Sequence, residues 1–330
     1  MSLSDFGTFA FYFIVYGVGF VLGSFGGMFS ECSGIINIAL EGSMVFGAFS
    51  GLIFLQVMSG SALAASWLGV QLIFLLACLI AIFFSCLFSF LLSFVAIKLK
   101  ADQTIVGTAL NTVAIATCTI ANTFITRKDS AEVTNNVFSS FLSLNSGNAF
   151  WDNAFSNLHV GVIIGIIAII ILWLAMDKTR FGLRLRACGE NPAAADSVGI
   201  NVNKMRYIGT MIGAASAGLG GFVIFSCSQI GVWTIDALGY GFLVLAIEIL
   251  GNWKSTRIIW ASLFFGFFFA FAPSFSAALS NNPNIQSTFF TNKAFFYMLP
   301  YLLAFFSLIF FSKKSHAPKA EGIPYDKGAR

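Results

Sequence analysis

Residues 189–200 read GENPAAADSVGI, a short polar helix set in an oily chain. Asn191 suits the N-cap, and Pro192 suits the first helical position, where its missing N–H costs nothing. Asp196 lies one turn inside, and Gly199 offers a left-handed stop. A helix of roughly seven residues is too short to be stable alone in water. Its presence predicts a holder: a partner with a groove for a short helix, met by the smooth surface of Ala193, Ala194 and Ala195.

On either side the chain is membrane material. Of 330 residues, 58% are hydrophobic and 10% charged, against about 25% charged in soluble domains. Crossing the hydrocarbon takes about 20 apolar residues as helix. Runs of suitable length cover 6–28, 35–58, 67–97, 104–125, 158–176, 207–227, 258–279 and 294–311. The run 241–250 is too short to cross and reads as half of a broken or re-entrant helix. Run 67–97 is long for one straight span and reads as a tilted helix or as a turn plus a span. The expectation is an all-α polytopic bundle of about nine transmembrane helices, with eight to ten allowed. It forms one transmembrane domain, 1–311, followed by a polar tail, 312–330.

Lysine and arginine in short loops set orientation. Residues 177–206 carry Lys178, Arg180, Arg184, Arg186, Lys204 and Arg206, with turns expected at Gly182 and Gly189. The tail carries Lys313, Lys314, Lys319, Lys327 and Arg330; two turns add Lys98 with Lys100 and Lys254 with Arg257. All four groups fall on the cytoplasmic side, the C-terminus included, provided 241–250 returns the chain inward. The polar stretch 126–157 is then external. No basic segment precedes the first apolar run, so no cleaved signal peptide is expected.

Several chemistries drop out. Cys32, Cys78, Cys86, Cys118, Cys188 and Cys227 form no C-x-x-C pair, which argues against zinc and disulfides alike. His159 and His316 lie far apart, so neither a metal nor a catalytic residue is expected. Gly-Lys never occurs, so there is no phosphate loop; nor is there a G-x-S-x-G elbow or an H-E-x-x-H pair. No basic face suits nucleic acid. The reading is a non-enzyme, with transport as the leading class. An ion-gradient-driven secondary transporter and a non-transporting scaffold are its rivals.

Ionisable groups in apolar runs default to functional candidates. Two stand out: Glu41 in INIALEGSMVFGAF (36–49) and Glu248 in LVLAIEILGNW (243–253). Asn37 and Glu41, four apart, share one helix face. Thr104, Thr108 and Asn111 share another, with Thr112, Thr117 and Asn122 nearby. Amides and hydroxyls suit an uncharged, hydrogen-bonding solute. The candidate path residues are Asn37, Glu41, Thr108, Asn111, Trp233 and Glu248. The alternatives are interhelical bonds for the glutamates, back-bonding to the helix for the threonines and an interfacial belt position for Trp233. Small residues every four positions (Gly19, Gly23, Gly27; Gly209, Gly213, Ala217, Gly221; Gly47 with Gly51; Gly161 with Gly165) predict close helix crossings, fixed or moving.

Four segments, ECSGIINIALEGSMVFGAFSG (31–51), ADQTIVGTALN (101–111), TRFGLRLRACGENPAAADSVGINV (179–202) and GYGFLVLAIEILGN (239–252), together resemble the permease subunits of bacterial ABC importers. The type is that of ribose and branched-chain amino acids, and the nearest branch takes nucleosides and simple sugars. The resemblance runs from about residue 15 to 310. It implies that Glu190, Asn191, Pro192, Ala193, Ala194, Ala195, Asp196 and Gly199 form the coupling helix, docked on a separate ATPase that holds ATP and Mg, while this chain binds no cofactor. It also implies a second permease subunit in a heterodimer, a substrate-binding lipoprotein or periplasmic protein, and a site in the lipid of the bacterial cytoplasmic membrane. The chain departs from the family pattern at Cys32, where arginine is frequent, and in the long stretch 126–157.

Overall fold

A computed structural model describes residues 3–127, 132–135, 147–155, 158–228, 231–236, 238–280, 293–311 and 316–326. The helices are α1 (Leu3–Glu31), α2 (Leu40–Met58), α3 (Trp67–Ile97), α4 (Gln103–Thr126), α5 (Ala149–Phe155), α6 (Val160–Lys178), α7 (Arg180–Glu190), α8 (Pro192–Ser197), α9 (Val202–Ser228), α10 (Tyr240–Gly251), α11 (Ser255–Ser280) and α12 (Lys293–Phe311). Among the described residues, seven are long and apolar enough to cross a membrane: α1, α2, α3, α4, α6, α9 and α11. The 12-residue α10 is apolar but below that length, and residues 298–309 of α12 are apolar as well. Every long run expected from the sequence contains a helix, although 35–58 becomes helical only at Leu40, and 67–97 is one continuous helix rather than a turn plus a span. At 1.5 Å per residue α3 is about 46 Å long, more than the roughly 30 Å of hydrocarbon, so it tilts or projects.

The core is a crossing of α1, α2, α9 and α10, built on small residues. A side chain at Gly26 would meet the Gly213 carbonyl of α9, and one at Gly47 would meet Gly218. Without a hydrophobic drive between helices in lipid, such close approach and buried hydroxyl bonds hold the bundle. Ser216 Oγ donates to the Leu22 carbonyl at 2.6 Å, and Ser85 Oγ to that of Ala214 at 2.7 Å.

Helix ends follow their capping residues. Asp102 accepts from Thr104 N and Ile105 N at the start of α4, and Ser66 accepts from Gly69 N at the start of α3. A two-stranded antiparallel ribbon, β1 (Glu132–Asn135) with β2 (Gly231–Thr234), pairs Val133 with Trp233. It is tied to the outer end of α4, where Asn122 Nδ2 donates to the Glu132 carbonyl at 3.0 Å. No pattern in the sequence signals this ribbon.

The basic loops gather at one end. Lys100 Nζ meets Asp326 Oδ2 at 2.6 Å, Ala320 N–H donates to the Gly189 carbonyl at 2.8 Å, and Ser255 Oγ donates to Asp177 Oδ1 at 3.1 Å. This arrangement requires α10 to bring the chain back to the basic end, as the charge pattern demanded. The start of α1 lies at the opposite end, where Gly7 packs against Phe150 of α5.

Candidate functional site

The capped segment forms as its residues dictate. Asn191 Oδ1 accepts from Ala194 N at 3.1 Å, Pro192 opens α8, and Gly199, at φ +84°, lets Ile200 N–H return to the Ala195 carbonyl. That positive φ is why glycine stands there. Asn191, Ala193 and Ala194 are exposed, but Ala195 is turned inward at 3%. The smooth outer surface therefore extends to Val198, 74% exposed, rather than to Ala195. Gly182 and Gly189 do not mark turns; both lie within α7. Each admits a close backbone neighbour instead, the Met176 carbonyl at Gly182 and the Cys32 carbonyl at Gly189.

Inside the bundle the polar residues fall into two groups, joined by α10. At the start of α10, Glu41 lies in the first turn of α2 against Gly241, with the Gly239 N–H on its carboxylate. Asn111 holds the adjoining backbone, accepting from Gly42 N at 2.8 Å and donating to the Ile38 carbonyl at 3.0 Å. At the far end of α10, Glu248 is fully buried against Gly27 and beside Glu31. Trp253 Nε1 donates to Glu31 Oε2 at 2.7 Å. The two groups sit seven residues apart on α10, about 10 Å along its axis.

Asn37 is not on a helix. It lies in the loop before α2, so it shares no helix face with Glu41. Its Nδ2 donates to Ser30 Oγ at 3.0 Å, and its backbone N–H reaches Glu31. The apolar run misplaced the start of α2 because hydropathy does not register these long-range bonds. Gln103, overlooked in the sequence, fixes the same loop by accepting from Ile36 N at 2.7 Å. Its place one residue after the Asp102 cap was the available signal.

Thr108 bonds back to the Thr104 and Ile105 carbonyls at 3.1 and 2.9 Å. It faces outward, as do Thr104, Thr112 and Thr117, interleaved on α4 with exposed Ile105, Val113 and Ile120, whereas α3 and α6 expose leucine, isoleucine and phenylalanine without such threonines. Trp233 is buried at 1%, so it is not an interfacial belt residue; it stacks at a tilt on Phe225, 5.0 Å away, and donates to the Asp236 carbonyl. His159 caps α6, accepting from Gly161 N at 3.1 Å, with Ser226 Oγ 2.8 Å from its other ring nitrogen. Among the described residues no group of His, Cys, Asp and Glu is arranged to hold a metal.

A polytopic helical bundle with a broken helix through its core and a capped helix displayed at its basic end defines a membrane transport permease. The chain belongs to the family described as branched-chain amino acid transport system permease component, whose pattern matches residues 9–308. It is 37% identical over 321 residues to the guanosine ABC transporter permease protein NupQ of Bacillus subtilis, covering 96% of both chains. It is 31% identical over 317 residues to the nucleoside ABC transporter permease protein NupC of Lactococcus lactis, covering 95% of both. It is also 35% identical over 111 residues to NupB of Lactococcus lactis, another nucleoside ABC transporter permease protein, covering 33% of this chain and 30% of that one. No solved structure matches the chain.

Proposed function

We propose that this chain is one of two unlike permease subunits of an ATP-driven nucleoside importer and binds no nucleotide itself. The named functions of the relatives that align over almost the whole chain support the solute class. That NupB and NupC occur in one organism supports an unlike pair. ATP and Mg belong to a separate ATPase, and a lipoprotein or periplasmic binding protein delivers the solute from outside. The basic end, with the C-terminal tail, faces the cytoplasm, because positive loops are retained there.

The observation that carries the reading is α8. A six-residue helix with its own N-cap and glycine stop exposes Ala193, Ala194 and Val198 at the basic end. Too short to stand alone, it suits a groove on the ATPase. In this reading α8 takes up the motion of the closing ATPases, and α10 transmits it between its two carboxylate groups. The solute path of this half runs by Glu41 and along the face of α4 where Thr108, Thr112 and Thr117 stand among exposed apolar residues, a more polar face than those α3 and α6 present. Asn37, Asn111, Trp233 and Glu248 support the walls of that path from behind.

Reconstitution tests this. Vesicles holding the chain with the subunits that co-purify with it should accumulate radiolabelled guanosine only with ATP, and excess ribose should not compete. Accumulation by the chain alone on a proton or sodium gradient would overturn the assignment.

A further inference from the structure

Residues 316–326 run across the basic end and tie together elements that are far apart in sequence. His316 N–H donates to Asn252 Oδ1 at 2.8 Å, just past α10. Ala320 N–H donates to the Gly189 carbonyl at 2.8 Å, two residues before the Asn191–Pro192 junction that opens α8. Gly322 N–H donates to the Gly34 carbonyl at 3.2 Å, in the loop after α1. Asp326 meets Lys100 between α3 and α4. Pro318 and Ala320 are buried, and Tyr325 packs on the apolar core.

The position of these ties matters. A cavity of about 340 Å³ is lined on one side by Arg186 and Glu190 of α7 and on the other by Asn252 and Trp253 at the end of α10. His316 and Pro318 also line it. Hydrogen bonds from one continuous segment thus bridge the coupling segment and the broken helix where a gap lies between them. Three of the four ties use backbone N–H groups of the segment, so they depend on its course more than on its side chains.

We propose that residues 316–326 form a strap that makes α7–α8, the end of α10 and the loop after α1 move as one body, so that displacement of α8 reaches Glu248. This rests on the reading of α8 as the helix that docks on an ATPase. Gly189 lies in the last turn of α7, two residues before the Asn191 cap, and Asn252 stands four residues past Glu248, so the strap joins the point of push to the helix that must move. Hydrogen-bond networks and rigid elements with two discrete arrangements carry energetic coupling of this kind.

The test uses the co-purified assembly in vesicles, with radiolabelled guanosine as solute. Three chains are compared: unaltered, ended after residue 315, and Gly322→Val. The last dislodges the strap because position 322 has φ +73° and its Cβ would stand 2.7 Å from Ile36 Cδ1. The ATPase should still co-purify with both variants and hydrolyse ATP within twofold of normal. Guanosine taken up per ATP should fall at least tenfold on truncation and severalfold in Gly322→Val. Uptake per ATP within twofold of normal in both would overturn the strap alone. So would loss of the ATPase on truncation, since the strap would then build the docking surface rather than pass on its motion. Failure of the unaltered chain to hold an ATPase or take up guanosine would bring down the functional reading and the strap with it. If the truncated chain does not insert, Gly322→Val decides.

Discussion

Glu248 rests on Gly27: the carboxylate group of the broken helix fills the space that a side chain at position 27 would occupy. A methyl group there has to displace a wholly buried glutamate at the crossing of α1 and α10. Gly27→Ala should therefore destabilise the chain by about 1–3 kcal/mol, the usual cost of overpacking a tight core. Thermal unfolding in detergent measures it, and a melting point equal to that of the unaltered chain would mean that the crossing is loose.

The cap at Asn191 is a single side-chain bond on an exposed helix. Asn191→Ala with Ala194→Gly removes about 1 kcal/mol of helix stability at each position. The bundle should melt as before, while guanosine uptake per ATP drops. Unchanged uptake per ATP would count against α8 as the docking element.

Asn111 and Thr108 share α4 but should answer differently to substitution. Asn111→Leu strands the Gly42 N–H and the Ile38 carbonyl, a loss of about 1–3 kcal/mol per buried group. Folded yield and uptake should therefore fall together. Thr108→Val removes a hydroxyl that bonds its own helix on an exposed face, so stability should stay within about 0.5 kcal/mol. Lower uptake at equal membrane abundance would then report the solute path, and full uptake would remove Thr108 from it.

The strap should respond to pH. Burial, and secondarily the neighbouring Glu31 carboxylate, push Glu321 up to about 8. Glu248 of α10 and Cys32 after α1 also feel its charge. A carboxyl group raised on docking favours the docked strap in its protonated form. Its contribution is whole below the ordinary carboxylate range and is lost as pH rises through about 8. Protection of the Ala320 N–H from hydrogen exchange, corrected for intrinsic rates, should fall between pH 5 and pH 8, on the order of the span between free and docked values. Glu321→Gln should flatten that fall; an equally steep fall in the variant would assign it to another group.

What could be read in the sequence was what neighbours in the chain decide. Run length located the long helices, lysines and arginines located the basic end, and Asn191, Pro192 and Gly199 bounded α8, because hydropathy, capping and φ preference act over a few residues. Tertiary structure decided the rest. The run 35–58 gave no sign that α2 waits until Leu40, since the loop before it is held by Gln103, 67 residues away from Ile36. Gly182 and Gly189 looked like turns until Met176 and Cys32 were seen to need the space. Trp233 left the interface because β1 and Phe225 cover it. The polar tail became a strap because Asn252, Gly189 and Gly34, distant in the chain, meet at one end of the bundle. Partners of this kind are set by helix crossings, and no local pattern encodes which carbonyl or glycine a crossing will bring near.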